Sequence, residues 1–280
     1  MNEKWDWEIK PKNALFELNL GELVRYKDLL VLFIKRDIVT QYKQTVLGPL
    51  WFFIQPAMTT LMFMIVFGGI AGIPTDGVPQ PLFYLAGISL WNYFSGCLTV
   101  TSNVFVANQG IFGKVYFPRL IMPLSAVCSN LLKLGIQLLL FLLVYLYFLI
   151  DGTTAAPTRW ILATPFLIGL LAAQSLGFGI LISSMTTKYR DLTILFTFVI
   201  QLWMYATPVI YPLSLMSPRQ QAVMSLNPVT PLFEAFKYAT LGVGSFTAMQ
   251  LAYSILFTVL LLALGIVVFN RVQRSFMDTV

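Results

Sequence analysis

Apolar residues fill this chain in long blocks, and the polar positions between the blocks mark where elements begin and end. Over residues 20–39 the pattern is periodic: Leu23, Tyr26, Leu30, Ile34 and Ile38 recur at helical spacing, with Arg25, Asp28, Lys35 and Arg36 on the opposite side. This predicts an amphipathic helix suited to a membrane interface or to the surface of a partner, with Lys27 and Asp37 interrupting its apolar face. No charge follows Lys43 until Asp76, and a bilayer core takes about 20 apolar residues, so a first span is predicted over residues 50–70. Pro49 suits its first turn, and Pro56 is expected to kink it. Further spans are predicted over residues 82–106, 120–150, 160–183, 192–205 and 251–269.

The segment between the last two spans reads differently. Residues 208–244 stay apolar, yet Pro212, Pro218, Asn227, Pro228 and Pro231 cut them into pieces too short to cross a bilayer. These pieces are expected to be interfacial or re-entrant helices. Just before them, KYRDLTILFTFVIQLWMYATPVIYP (188–212) runs from a charged turn through an uncharged helix to breaks at Pro208 and Pro212. Hydrocarbon cannot hydrogen-bond the backbone groups that proline frees, so such a break belongs against protein or a water-filled cavity. The membrane path is expected to pass here.

Composition supports this reading. Of the 280 residues 58% are hydrophobic and only 11% charged, against about 25% charged in soluble domains, and the mean hydropathy is +0.77. One polytopic domain is expected over residues 1–280: an interfacial segment 1–45, a six-span membrane part 46–270 and a tail 271–280. The charged start is unlike a secretory signal, and no cleaved presequence is expected. Eight Lys and Arg residues precede or include Lys43, and further pairs lie near Lys114 and Arg119, near Lys188 and Arg190, and at Arg271 and Arg274. Only Arg159, Arg219 and Lys237 fall on the other side, so the positive-inside rule puts both termini in the cytoplasm. The net charge of +6 is then an orientation signal, not a nucleic-acid footprint. Cys97 and Cys128 sit in apolar segments as packing residues.

Several chemistries lack their equipment. There is no histidine, and no predicted span has Asp or Glu near its middle, which removes the usual proton relays and metal-ligand clusters. The fragment GIFGK (110–114) has the wrong spacing for a phosphate loop, and Val115 stands where Ser or Thr is needed. Uphill transport would therefore draw energy from another chain. Its docking surface is expected at the amino-terminal helix, the connector 108–119 and the cluster 188–191. Lys133, inside the third block, either snorkels to an interface or faces a polar cavity. Glu234 and Lys237 are spaced as a helix ion pair or as a substrate contact.

The blocks RDIVTQYKQTVLGPLWFFIQP, LFYLAGISLWNYFSGCL, KVYFPRLIMPLSAV, KYRDL, QLWMYATPVIYP and LNPVTPLFEAFKYATLG, in this order, closely resemble the permease subunit of bacterial polysaccharide ABC exporters of the Wzm and TarG type. Lys133 departs from the acidic residue expected there. The resemblance implies an all-α inner-membrane protein with six transmembrane helices. It also implies a homodimer docked on two Wzt-type ATP-binding subunits, which hold ATP and Mg, with no cofactor on this chain. The implied cargo is a glycan on undecaprenyl pyrophosphate: O antigen, a capsule-like glycan or teichoic acid.

Site candidates follow. Trp91, Tyr93, Phe94, Trp203, Tyr205 and Tyr211 are candidates for the glycan path, since ring faces stack on sugar CH groups; Trp and Tyr also collect at lipid interfaces. Arg25, Lys35, Arg36 and Lys43 are candidates for the carrier's pyrophosphate or for anionic headgroups. Lys114, Tyr116, Arg119, Lys188, Tyr189, Arg190 and Asp191 are candidates for coupling to the ATPase, and Pro212, Asn227, Pro228, Glu234 and Lys237 for an outer gate. Competing readings are a drug or small-lipid exporter of the same architecture, a membrane-embedded glycosyl- or acyltransferase, and a scaffold that anchors an ATPase.

Overall fold

The computed structural model describes residues 20–279 apart from 44, 113, 114, 116, 153–155, 188 and 190; side chains at 20, 42, 112 and 273–279 are also left undescribed. Among the described residues the secondary structure is entirely helical. The amino-terminal helix is broken into α1 (Leu20–Arg25) and α2 (Lys27–Tyr42) at Tyr26, whose φ of −93° and ψ of 21° leave the helical region. The face it buries differs from the expected one. Phe33, 7% exposed, is its anchor, and Leu23, Tyr26, Leu29 and Leu30 pack beside it, while Ile34 and Ile38 stay half-buried. Val24, Val31, Leu32 and Val39 point outward. One large aromatic ring outweighs the aliphatic stripe in setting the helix's rotation.

The first membrane helix starts with a 3-10 turn at Gly48–Leu50 and continues through α3 (Trp51–Phe63) into a π-helical stretch at Met64–Ile70. Pro56 lies inside α3, which runs on through it. Helix α4 (Gln80–Ser102) follows and stops at Asn103, whose side-chain amide donates to the Thr99 carbonyl oxygen at 3.2 Å. The expected span to residue 106 thus ends early, because Asn103 competes with the backbone for helix bonds. Two short helices, α5 (Val104–Ala107) and α6 (Gln109–Phe112), carry the chain to α7 (Ile121–Ile150), α8 (Thr164–Thr186) and α9 (Leu192–Tyr205). Beyond the proline breaks lie α10 (Pro218–Ser225), α11 (Thr230–Leu241) and the long α12 (Ala248–Thr279), which continues past the expected end of the last span.

Among the described residues, four helical stretches are long and apolar enough to cross a membrane: Gly48–Ile70, Ile121–Ile150, Arg159–Thr186 and Ala248–Val272. The chain is a polytopic all-α membrane protein. Helix α4 is long but studded with polar residues such as Ser89, Asn92 and Ser95, and α9 has 14 residues, about 21 Å of helix.

Helix α4 is the axis of the fold. Nearly every residue from Leu82 to Phe94 is buried, against α3, α7, α8, α9 and α11. Of its polar residues Ser89, Thr101 and Ser102 are buried against protein and Asn92 and Ser95 half-buried, so much of this polar surface is covered within the fold. Helix α9 is the reverse: mostly apolar, with Ile200 alone buried.

Candidate functional site

The site is the broken end of α9 and the elements that close around it. A helix end leaves carbonyl groups without intrahelical partners, and at membrane depth they must find donors within the protein. Here three carbonyls at and just beyond the helix end are met by particular side chains. The Tyr211 hydroxyl donates to the Tyr205 carbonyl oxygen at 2.7 Å. The Asn227 amide donates to the Ala206 carbonyl oxygen at 2.8 Å, and the Lys237 ammonium donates to that of Pro208 at 2.5 Å. Residues 207–210 are buried. The break is therefore packed against protein, one of the two surroundings that the sequence allowed. The close fit needs a glycine opposite: a Cβ at Gly87 of α4 would stand 2.7 Å from the Val209 carbonyl oxygen.

Glu234 and Lys237 form an ion pair 3.5 Å apart on α11, with 2% and 1% of their side chains exposed. It is a helix pair, as the spacing allows, but its partners give it more than helix support. The Lys237 ammonium also lies 4.0 Å from the Phe83 ring centroid, and the second Glu234 oxygen accepts from the Ser245 backbone N–H at 2.9 Å. The pair therefore ties α11 to the end of α9, to α4 and to the loop that enters α12. Burial draws the Lys237 ammonium below its ordinary value, and the Glu234 carboxylate opposes this. The Tyr211 hydroxyl is pushed up to about 12, by burial and then by the Glu234 charge. Gly244, at a φ of 142°, lets that loop pass over α11; a Cβ there would lie 2.5 Å from the Glu234 carbonyl oxygen.

A second polar knot was not anticipated. Gln174 of α8 is fully buried, and its amide nitrogen donates to the Pro228 carbonyl oxygen at 3.2 Å and to Ser254 and Thr258 hydroxyls of α12 at 3.0 Å each. The Ser254 hydroxyl itself donates to the Pro228 carbonyl oxygen at 2.7 Å. A lone glutamine inside an apolar run was the available signal, since a membrane helix carries such a group only where partners await it. Asn227 and Pro228 thus anchor the broken segment to α8, α9 and α12, and the buried Pro212 leads into the 3-10 turn Leu213–Leu215. Of the five outer-gate candidates, Asn227, Pro228, Glu234 and Lys237 take part in these knots, and Pro212 lies in the buried chain just after the break.

The aromatic candidates divide. Trp91, Tyr93 and Phe94 are 6%, 2% and 0% exposed and belong to the protomer's core. Phe94 packs edge-on against Trp203 at 5.2 Å and Phe178 at 6.5 Å, forming a ring cluster that joins α4, α8 and α9. Trp203 and Tyr211 are half-buried, and Tyr205 is 57% exposed.

At the other end, the short helices and connectors converge on a separate apolar cluster of Phe33, Val104, Phe105, Phe117, Ile121, Met122, Ile180 and Phe269. Phe33 meets Phe117 at 5.8 Å, and Phe105 stacks on Phe269 at 4.8 Å. Arg119 is buried in the same connector, and burial draws its guanidinium down; Tyr189 and Asp191 are exposed, while Lys114, Tyr116, Lys188 and Arg190 lie outside the described residues. Arg25, Lys35 and Lys43 are exposed, and Arg36 pairs with Asp37 at 2.7 Å and lies over the Phe33 ring at 4.8 Å. Lys133 is half-buried on α7 and has no hydrogen bond or ion pair among the described residues. No metal-ligand cluster occurs among the described residues.

These features define a helical membrane protein whose built elements are packing knots and interfaces. The chain belongs to the ABC-2 type transporter family, whose model matches residues 28–241. Among characterised relatives, it is 25% identical over 219 residues to the O-antigen export system permease protein RfbA of Myxococcus xanthus, covering 77% of this chain and 81% of that one. Two proteins of Klebsiella pneumoniae bearing the same name are 25% and 24% identical over 261 and 262 residues, each alignment covering 93% of this chain and 96% of the relative.

Proposed function

We propose that this chain is the transmembrane subunit of an ATP-driven exporter that moves undecaprenyl-linked polysaccharide from the cytoplasmic to the outer side of a bacterial inner membrane. The observation that carries this reading is the alignment of nearly the whole chain, within the ABC-2 family, with permeases named for O-antigen export. In this reading α4 and α9 complete a set of six spans, both termini are cytoplasmic, and ATP with Mg is bound by a separate subunit.

The exposed apolar flank of α9 supports a second copy of the chain beside it, since a membrane helix buried only at Ile200 contributes little to its own protomer. Trp203, Tyr205 and Tyr211 would then border the path, with Trp91, Tyr93 and Phe94 as the scaffold behind them. Arg25, Lys35, Arg36 and Lys43 would meet the carrier's pyrophosphate at the cytoplasmic surface. The Phe33–Phe117 contact joins the interfacial helix to the connector that would receive the ATPase.

Depletion of the protein tests the reading, by quantifying undecaprenyl-linked glycan inside the cell and the same glycan at the surface. Accumulation inside with loss outside is the expected result. Unchanged pools would remove the polysaccharide assignment and leave the drug or small-lipid exporter to be tested.

A further inference from the structure

On the side where α10, α11 and the start of α12 meet the lead-in to α8, the protein has a pocket of about 460 Å³. That volume lies within the range of small-ligand sites. Its walls include the rings of Trp160, Tyr238 and Phe246 and the polar side chains of Gln221, Ser245 and Gln250. No charged residue lines it among the described residues, and the nearby Glu234 and Lys237 are engaged with each other.

The rings are fixed. Phe246 meets Trp160 edge-on at 5.4 Å and Tyr238 at 5.7 Å, so both rings pack against one phenyl ring. The backbone beneath them is pinned as well. The Thr158 N–H and hydroxyl donate to the Ala239 and Tyr238 carbonyl oxygens, each at 3.0 Å, holding the Trp160 turn onto α11. The Gln250 amide donates to the Ser225 hydroxyl at 2.8 Å, tying α12 to α10 across the pocket. Against this fixed frame, four polar groups make no hydrogen bond within the described residues: the Trp160 indole N–H, the Tyr238 and Ser245 hydroxyls and the Gln221 carbonyl oxygen.

Held aromatic rings beside unspent neutral donors and acceptors suit a ligand with alternating CH faces and hydroxyls. An acyl chain would leave the polar groups unpaired, and an anion would find no cation in the lining. We propose that this pocket binds a neutral pyranose unit of the glycan once it has reached the outer side. The idea rests on the export reading above and adds to it a holding point, separate from the break at α9, that would oppose backsliding of the emerging chain.

The test uses the full-length protein in lipid nanodiscs, titrated with neutral tetrasaccharides of hexose, deoxyhexose and N-acetylhexosamine and with an acidic uronate tetrasaccharide, by saturation-transfer NMR. At least one neutral probe is expected to bind. Trp160→Ala and Phe246→Ala should each weaken it ten-fold or more, whereas Trp160→Phe, which keeps a ring, should weaken it less. Trp160 is 41% exposed, so its variants are expected to fold, with assembly checked by size-exclusion chromatography. No neutral binding, equal binding after both alanine changes, or preference for the uronate would overturn the proposal. Because binding is read on purified protein, it stands or falls apart from the depletion result. A strain that exports glycan normally with a protein that binds no sugar sinks the pocket alone.

Discussion

The two ends of this molecule are held together by different physics. At the end where α9 breaks, the joints are directional: Tyr211, Asn227 and Lys237 each cap one freed carbonyl, and Gln174 reaches across three elements. At the end where the interfacial helix lies, the joints of α2 and α12 are rings, with Phe33 on Phe117 and Phe105 on Phe269. Beside them two hydrogen bonds join α8 and α9 to the end of α4, from the Thr186 hydroxyl to the Ser102 carbonyl oxygen at 2.7 Å and from the Thr193 hydroxyl to the Asn103 Oδ1 at 3.2 Å. A hydrogen bond is lost steeply with displacement, whereas apolar contact tolerates sliding over a short range. The first end is thus built to keep one geometry, and the second to transmit a push without unfolding.

The largest way to break this comparison is Lys237→Met. It leaves the Glu234 carboxylate buried without its cation, and removing one partner of a buried pair costs about 3–5 kcal/mol. Loss of folded protein from the membrane, measured by fluorescence-detected size exclusion after heating, is expected. The double variant with Glu234→Gln should recover part of it; a single variant as stable as the parent would contradict a locked end.

Phe33→Ala should act less on stability and more on coupling. It empties one ring site at the edge of a cluster and is expected to cost about 2–3 kcal/mol, at or below the low end for buried aromatics, because that edge can collapse. The expected signature is a well-inserted protein whose partner ATPase turns over with reduced export, read as glycan exported per ATP hydrolysed. An unchanged ratio would mean the contact is packing only.

The smallest effect is expected from Gln174→Leu. Interhelical hydrogen bonds in membranes are worth about 0.6 kcal/mol on average, so a modest fall in melting temperature is expected, with export nearly intact. A loss as large as that of Lys237→Met would show that the two knots act as one unit.

How far the sequence foretold this can be followed residue by residue. Four of the six predicted spans coincide with helices long and apolar enough to cross, because hydrocarbon demands long apolar runs, and the helix α9 was found at its observed ends, Leu192 and Tyr205, because a charged cluster and a proline bracket it. The early end of α4 was not foreseen, since Asn103 stops a helix through a side-chain bond that hydropathy does not register. Phe33 was overlooked because periodicity counts positions equally and ignores ring size. Among the candidate site residues, the ion pair of Glu234 and Lys237 followed from their spacing of three on a helix. Their other partners, and that of Pro228, did not: Phe83, Gln174 and Ser245 lie far away in sequence, and only the fold brings them near. The same cause hid the burial of Trp91, Tyr93 and Phe94, because an amphipathic ring reads alike in a core and at a surface.

The short α9 has a further consequence. Its 14 residues give about 21 Å of apolar flank, and the residues just beyond it, 207–210, are buried and cannot lengthen that flank. A bilayer core is about 30 Å thick, so the two differ by about 9 Å. Hydrophobic mismatch of this size must be relieved locally, by thinning the leaflet or by replacing lipid with protein. In the six-span arrangement proposed above, a polar headgroup beside α9 would have less hydrocarbon to cross than along the longer helices wherever the leaflet thins.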